Sequence, residues 1–337
     1  MREFALVSIF LFTSHGGMAQ DPAPISEARQ LQTVETQFTG DYEGLRSIDD
    51  ESRPLAAQVV SMGGGDYRIK LAPGIYDGSK ALGEITGKLK GERVRVEGTV
   101  EDVTWSGFIE GGVLRGNFGH GGTFELKRLR RESPTLGADP PEGAVVLFAG
   151  TSLDRFAHPN ADSPVTPCHW LLLDNGAMQV TRDGVVSKEV FGDHKVHIEF
   201  RTPFKPNARG QERGNSGVYL QGRYEVQVLD SYGLAGMDNE CGGIYGVARP
   251  RINMCYPPLQ WQTYEIEFRA PRFNAEGKKQ EHARMTVWQN GVLIHKDVEV
   301  PDYTTAHIGG DMSEPGPLYL QDHGSPVLFR NIWILPR

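Results

Sequence analysis

The sequence predicts an all-β protein. Three observations carry that expectation: apolar and polar residues alternate at period two along most of the chain, 41 Gly and 21 Pro among 337 residues break the runs, and only one segment shows a helical period. About eleven strand-like runs after residue 145 have no helices between them and so close as a sandwich or barrel. With 39% hydrophobic residues the composition is that of a globular protein, and the length favours two domains. A net charge of −8 opposes phosphate backbones, so no nucleic-acid partner is expected.

Residues 1–19 read as a signal peptide: Arg2 is a short positive region, residues 4–12 are an apolar stretch, and Gly17, Met18 and Ala19 suit cleavage. Nine residues are too few to cross ~30 Å of hydrocarbon, and no later stretch is long and apolar enough, so an exported protein without a membrane span is expected, periplasmic or secreted. Ser26 is placed to cap a short helix that buries Leu31, Val34 and Phe38. Residues 20–129 otherwise form a small antiparallel β domain, from runs such as AAQVVSM, GDYRIKLA and ERVRVEGTV separated by glycine turns. Sixteen of the 41 glycines fall between Ser61 and Glu125, and none stands in a phosphate-binding pattern. Residues 130–144 hold three prolines and opposing charges and read as a linker.

In residues 145–337 the strand runs are longer, and Asn290-Gly291 between two of them is a hairpin signal. The segment GNSGVYLQGRYEVQVLDS carries the chemistry. Tyr224, Val226 and Val228 alternate toward a core and send Glu225 and Gln227 to the other face; a bulge near Leu229 would bring Asp230 there as well. Two carboxyl groups facing a groove are what glycosidic cleavage uses, although a solvated sheet face gives the same pattern. His323, beside Gln321 and Asp322, is a candidate base or metal ligand. Glu199 shares the polar face of HKVHIEFRT with Lys195, His197 and Arg201. Asn215, Tyr219, Gln221, Arg223, Gln227, Tyr245, Trp261 and Gln321 are the candidate sugar-binding side chains. Cys241 and Cys255 are placed to staple one loop as a disulfide with Cys168 left over, the alternative being three buried thiols.

The stretches GNSGVYLQGRYEVQVLDSYG, ECGGIYGVARPRINMCYPPLQWQTYEIEFRAPRF, NGVLIH and GPLYLQDHGSPVLFRNIWILPR resemble the 3-keto-disaccharide hydrolase family over about residues 145–337. The resemblance implies a concanavalin A-like jelly-roll β-sandwich, export, and action on glycosides or oligosaccharides oxidised to a ketone at C3. Residues 225–230 are also similar to the E-x-D-x-x-E strand of glucanases with that sandwich, with Gln227 and Asp230 in place of the second and third acids. A C3 ketone acidifies the C2 proton, so the C1 oxygen can leave by elimination before water adds. Such a site needs a base, assigned to Glu225 or His323, an acid, assigned to Asp230, and polarisation of the carbonyl by Arg223 or by a divalent cation on Glu199, Asp322 and His323. A noncatalytic carbohydrate-binding module and a conventional glycosidase acting on unoxidised glycan are the alternatives. Residues 20–129 lie outside the resemblance.

Overall fold

The computed structural model describes residues 34–159 and 168–337; the expected signal peptide and the start of the expected helix lie outside these residues. Strands β1 (Gly40–Ile48), β2 (Glu51–Gly63), β3 (Asp66–Ala72), β4 (Gly83–Lys90), β5 (Arg93–Val100), β6 (Val103–Glu110), β7 (Val113–Phe118) and β8 (Gly122–Leu129) form a closed antiparallel meander, with β1 paired to β8. Closure leaves no free sheet edge. Its interior is the set that alternation selects, Tyr42, Val59, Ile69, Val96, Trp105 and Leu126 among others. Strand β1 departs from the sequence expectation: Gly44 interrupts its apolar face, so its period is weak, yet it pairs along nine residues with β2.

The expected helix is also corrected. Residues Val34–Gln37 form one 3-10 turn, Val34 is 48% exposed, and Phe38 alone of the described apolar set enters the barrel core.

The second half folds into β9 (Val145–Phe148), β10 (Phe156–Ala157), β11 (Leu171–Leu172), β12 (Met178–Gln179), β13 (Val185–Phe191), β14 (His194–Arg201), β15 (Ser216–Leu220), β16 (Tyr224–Val228), β17 (Gln262–Arg269), β18 (Arg272–Phe273), β19 (Lys279–Glu281), β20 (Ala283–Gln289), β21 (Val292–Val300), β22 (Gly316–Leu320) and β23 (Leu328–Pro336). Among the described residues one sheet runs β10-β13-β22-β15-β16 and a larger one β11-β12-β23-β14-β17-β20-β21, with β9 beside β23. A single apolar core holds Val218, Leu220 and Val226 of the first together with Val196, Ile198 and Ile266 of the second. Each such fully buried aliphatic side chain is worth ~1.5–3 kcal/mol, so the layers are held chiefly by this interior.

The hairpin β20-β21 turns at Asn290 (φ 51°) and Gly291 (φ 75°), the left-handed pair that such a tight turn requires. A Cβ on Gly291 would lie 2.5 Å from the Pro134 ring. Gly291→Ala is therefore expected to cost ~1–3 kcal/mol, read as a lower urea midpoint at unchanged slope.

Pro134 belongs to the expected linker, which is docked rather than free. Ser133 and Thr135 hydroxyls each lie 2.7 Å from the Thr263 hydroxyl, the Gly137 N–H donates to Glu199 Oε1 at 2.6 Å, and Asn331 Nδ2 and Trp333 Nε1 donate to the Ala138 carbonyl. Here the polar face of the larger sheet is covered by backbone that pairs with it.

The expected disulfide is corrected too. All three cysteines are free thiols; Cys241 Sγ lies 3.3 Å from the Tyr264 hydroxyl and 3.3 Å from Gln289 Nε2, and Cys255 Sγ lies 3.5 Å from the Leu229 and Tyr256 carbonyls. Backbone bonds do the stapling instead, Gln227 N–H to the Gly243 carbonyl and Gly242 N–H to the Gln227 carbonyl. Among the described residues no helix is long and apolar enough to cross a membrane.

Candidate functional site

Strands β15, β16 and β22 turn Val218, Val226 and Leu320 into the core, which leaves Gly217, Tyr219, Glu225, Gln227 and Tyr319 on the opposite face. Register completes the arrangement. Tyr219 pairs with Glu225 and Gly217 with Gln227, so the small residue stands beside the long ones. The result is a cleft of ≈ 80 Å³ lined by Gln211, Asn215, Tyr219, Glu225, Gln227, Tyr245, Thr305, Ala306, Gln321 and His323. Its floor is buried, while Thr305, Ala306 and His323 form an exposed mouth.

Glu225 is 2% exposed, and its carboxyl is pushed up to about 8 because burial strips water from the charged form; a hydrogen bond with Tyr219 offsets only part of this. The Tyr219 hydroxyl donates to the Thr305 carbonyl at 3.0 Å and accepts from Gln321 Nε2 at 3.1 Å. Burial, then the neighbouring Glu225, pushes this phenol far up, so it stays protonated. Gly217 makes the room: a Cβ there would run into Glu225 Oε1 and the Tyr219 ring. Gly217→Ala is expected to lower turnover about tenfold or more, ~1.4 kcal/mol of transition-state energy, with a modest fall in Tm.

The mouth is built by the loop at 301–315. Thr304 N–H and hydroxyl both donate to the Arg223 carbonyl, and Thr304 Oγ1 accepts the Glu225 N–H at 2.9 Å. Arg223 Nη1 donates to the Glu314 carbonyl at 2.9 Å and its Nε to the Gly309 carbonyl at 3.3 Å. This guanidinium therefore fastens the loop and does not line the cleft, contrary to the expectation that it polarises the substrate carbonyl.

Of the other expected residues, Asn215, Tyr219, Gln227, Tyr245, Gln321, Glu225 and His323 are brought together. Gln221 is not; its amide donates to the Phe191 carbonyl and accepts from Arg223. Trp261 lies between the Arg201 and Arg330 guanidiniums, away from the cleft lining. Asp230 is the main correction: its carboxylate accepts from Arg213 Nε at 2.7 Å and from the Tyr232 N–H at 3.3 Å, in a separate crevice with Val60 and Met62 of the barrel. The bulge does not form, because the chain turns out of the sheet at Leu229, whose carbonyl accepts the Ser231 N–H.

The expected cation ligands do not fit a metal. Burial pushes the Glu199 carboxyl up, but bonds from His197, Asn331, Arg330 and Gly137 outweigh it and hold it at about 2, beneath the docked linker on the larger sheet. Asp322 accepts the Gly324 N–H at 2.7 Å. Among the described residues no three or more His, Cys, Asp or Glu are grouped to hold a metal ion. Sequence reasoning missed Gln211, Thr305 and Ala306, which reach the cleft from loops without periodicity.

Comparison with solved structures finds partial matches. A glycosyl-hydrolase candidate from Parabacteroides distasonis ATCC 8503 is 34% identical, with TM-score 0.52, over 58% of this chain and 85% of its own. A second candidate from the same organism is 19% identical, with TM-score 0.43, over 58% of this chain and 95% of its own. The carbohydrate binding module CBM66 of Bacillus subtilis is 12% identical, with TM-score 0.33, over 55% of this chain and 94% of its own. No curated protein matches. Residues 143–335 match the 3-keto-alpha-glucoside-1,2-lyase-like domain, more than half of the chain, and the protein belongs to that carbohydrate-active family.

Proposed function

We propose that this protein cleaves the glycosidic bond of 3-keto-glycosides by elimination across C1 and C2, followed by hydration. The observation that carries the reading is that the cleft lining contains one carboxyl group, Glu225. Conventional glycosidases flank the scissile bond with two. Elimination next to a ketone needs only one strong base, and the burial that raises the Glu225 pKa makes its ionised form a stronger one.

In this reading the Glu225 carboxylate takes the C2 proton, the C2–H electron pair forms the enolate of the C3 ketone, and the enolate expels the C1 oxygen. His323 at the mouth gives the departing aglycone oxygen its proton, a role that Asp230, held by Arg213 in a separate crevice, does not fill. Water then adds to the enone and yields the free keto sugar. Tyr219, the cross-strand partner of Glu225, borders its carboxyl on the cleft face.

The two sheets then correspond to a concanavalin A-like jelly roll, and the pattern of residues 1–19 to an exported precursor with a mature start near Gln20, which mass spectrometry of the secreted or periplasmic protein tests. The functional test is incubation with methyl 3-keto-glucoside and with methyl glucoside. Release of keto sugar through an enone absorbance, from the oxidised substrate alone, is expected; equal cleavage of both would identify a conventional glycosidase, and binding without turnover a noncatalytic module.

A further inference from the structure

Three carboxamides in the cleft are wired in series from one backbone carbonyl. Gln211 Nε2 donates to the Asn239 carbonyl at 2.8 Å. A peptide carbonyl only accepts, so this bond decides which end of the Gln211 amide faces it and turns Oε1 toward the cleft. That oxygen receives Asn215 Nδ2 at 3.0 Å and Gln227 Nε2 at 3.1 Å, and Asn215 Nδ2 also donates to the Gln211 backbone carbonyl at 2.9 Å. Flipping either amide would set oxygen against oxygen. The carbonyl oxygens of Asn215 and Gln227 are therefore the ends left over, and both atoms are buried without a hydrogen-bond donor from the protein, on side chains 1% exposed. A buried oxygen left in that state costs ~1–3 kcal/mol.

We propose that Asn215 Oδ1 and Gln227 Oε1 are an acceptor pair that recognises two hydroxyl donors of the sugar ring, and that Gln211 is the positioning residue that fixes the pair's polarity. This rests on the reading of the cleft as a sugar site. It also orients the substrate. A ketone oxygen accepts and cannot donate, so the oxidised carbon is turned away from this pair. The pair thus rejects sugars whose hydroxyls are alkylated or removed.

The test compares kcat/KM for methyl 3-keto-glucosides in which the C2, C4 or C6 hydroxyl is replaced in turn by hydrogen or by fluorine, which cannot donate. In the wild-type chain two of these positions are expected to lose about 10²-fold or more, with fluorine no better than hydrogen. Gln211→Met, which frees both amides to rotate, is expected to bring that discrimination down to about tenfold or less. Discrimination below about fivefold at every position overturns the proposal, as does a Gln211→Met variant that slows all sugars by one common factor. Discrimination lost on chelation and restored by Ca²⁺ or Mn²⁺ would show that the two oxygens hold a cation, and overturns it as well. Calorimetric binding of the same sugars to Glu225→Gln separates the pair from the reaction. Hydroxyl-dependent binding without any wild-type turnover sinks the reaction and supports the pair; hydroxyl-independent binding sinks the pair and leaves the reaction standing.

Discussion

Glu225→Gln is expected to abolish turnover of a 3-keto-glucoside, by ~10³-fold, and at the same time to raise the stability of the protein in alkaline solution. The first effect follows from removing the one carboxyl group that lines the cleft. The second follows from linkage. In the unfolded chain Glu225 titrates near 4.5, in the folded one at about 8. Below 4.5 both states are protonated and nothing is lost. Between the two values the unfolded state releases a proton that the folded state keeps, so stability falls as pH rises, and the penalty is complete above 8. At ~1.4 kcal/mol for each pH unit between the two values, and allowing for water reaching the cleft, the Gln variant is expected to gain ~2–4 kcal/mol at pH 8.5 and little at pH 4. Thermal melts at the two pH values measure this. For wild-type catalysis the acid limb of the kcat/KM profile is expected to rise as Glu225 ionises, while the need for a proton on His323 bends the profile into a bell; a flat profile from pH 6 to 9 would remove Glu225 as the base.

Asp230→Ala is expected to do the reverse, costing ~3–5 kcal/mol of stability while leaving kcat of the folded protein within a few-fold of wild type. Asp230 is the buried partner of Arg213, and its loss leaves a guanidinium uncompensated among Val60, Tyr232 and Leu234. Arg213 Nη1 also donates to the Ser61 carbonyl of the barrel at 3.3 Å, so the damage is felt at the seam rather than in the cleft. Denaturant midpoints and turnover measured on one preparation separate the two. A loss of kcat at unchanged stability would return Asp230 to catalysis.

The contrast between these two residues shows where the sequence was legible. Alternation through Tyr224, Val226 and Val228 fixes the direction of Glu225 and Gln227, because inside a strand the pleat leaves no choice. Asp230 lies two residues beyond the last paired one, where the pleat no longer governs, and its direction comes from Arg213, seventeen residues away and itself placed by the barrel. The all-β character and the Asn290-Gly291 hairpin were legible for the same local reason. Gln211 and Thr305 were not: they join the cleft through hydrogen bonds from a 3-10 turn and a loop, and no period in the sequence marks such bonds. Glu199 misleads in the opposite sense, since a polar strand face looks the same whether it faces a substrate or the chain's own docked linker.

That docked segment and the seam beyond it bear on how the molecule comes apart. Tyr232 donates to Asp41 at 2.7 Å, Tyr76 to the Cys255 carbonyl at 3.0 Å and Arg209 to the Met62 carbonyl at 2.7 Å, while Val60 of the barrel sits in the apolar core of the layered sheets. Pulling the barrel away would break all three bonds and bare the apolar surface around Val60 in one step, so the two halves are expected to open together. Calorimetry should then record one endotherm for the whole chain, and a chain cut after residue 129 should behave as a sticky fragment rather than a smaller enzyme.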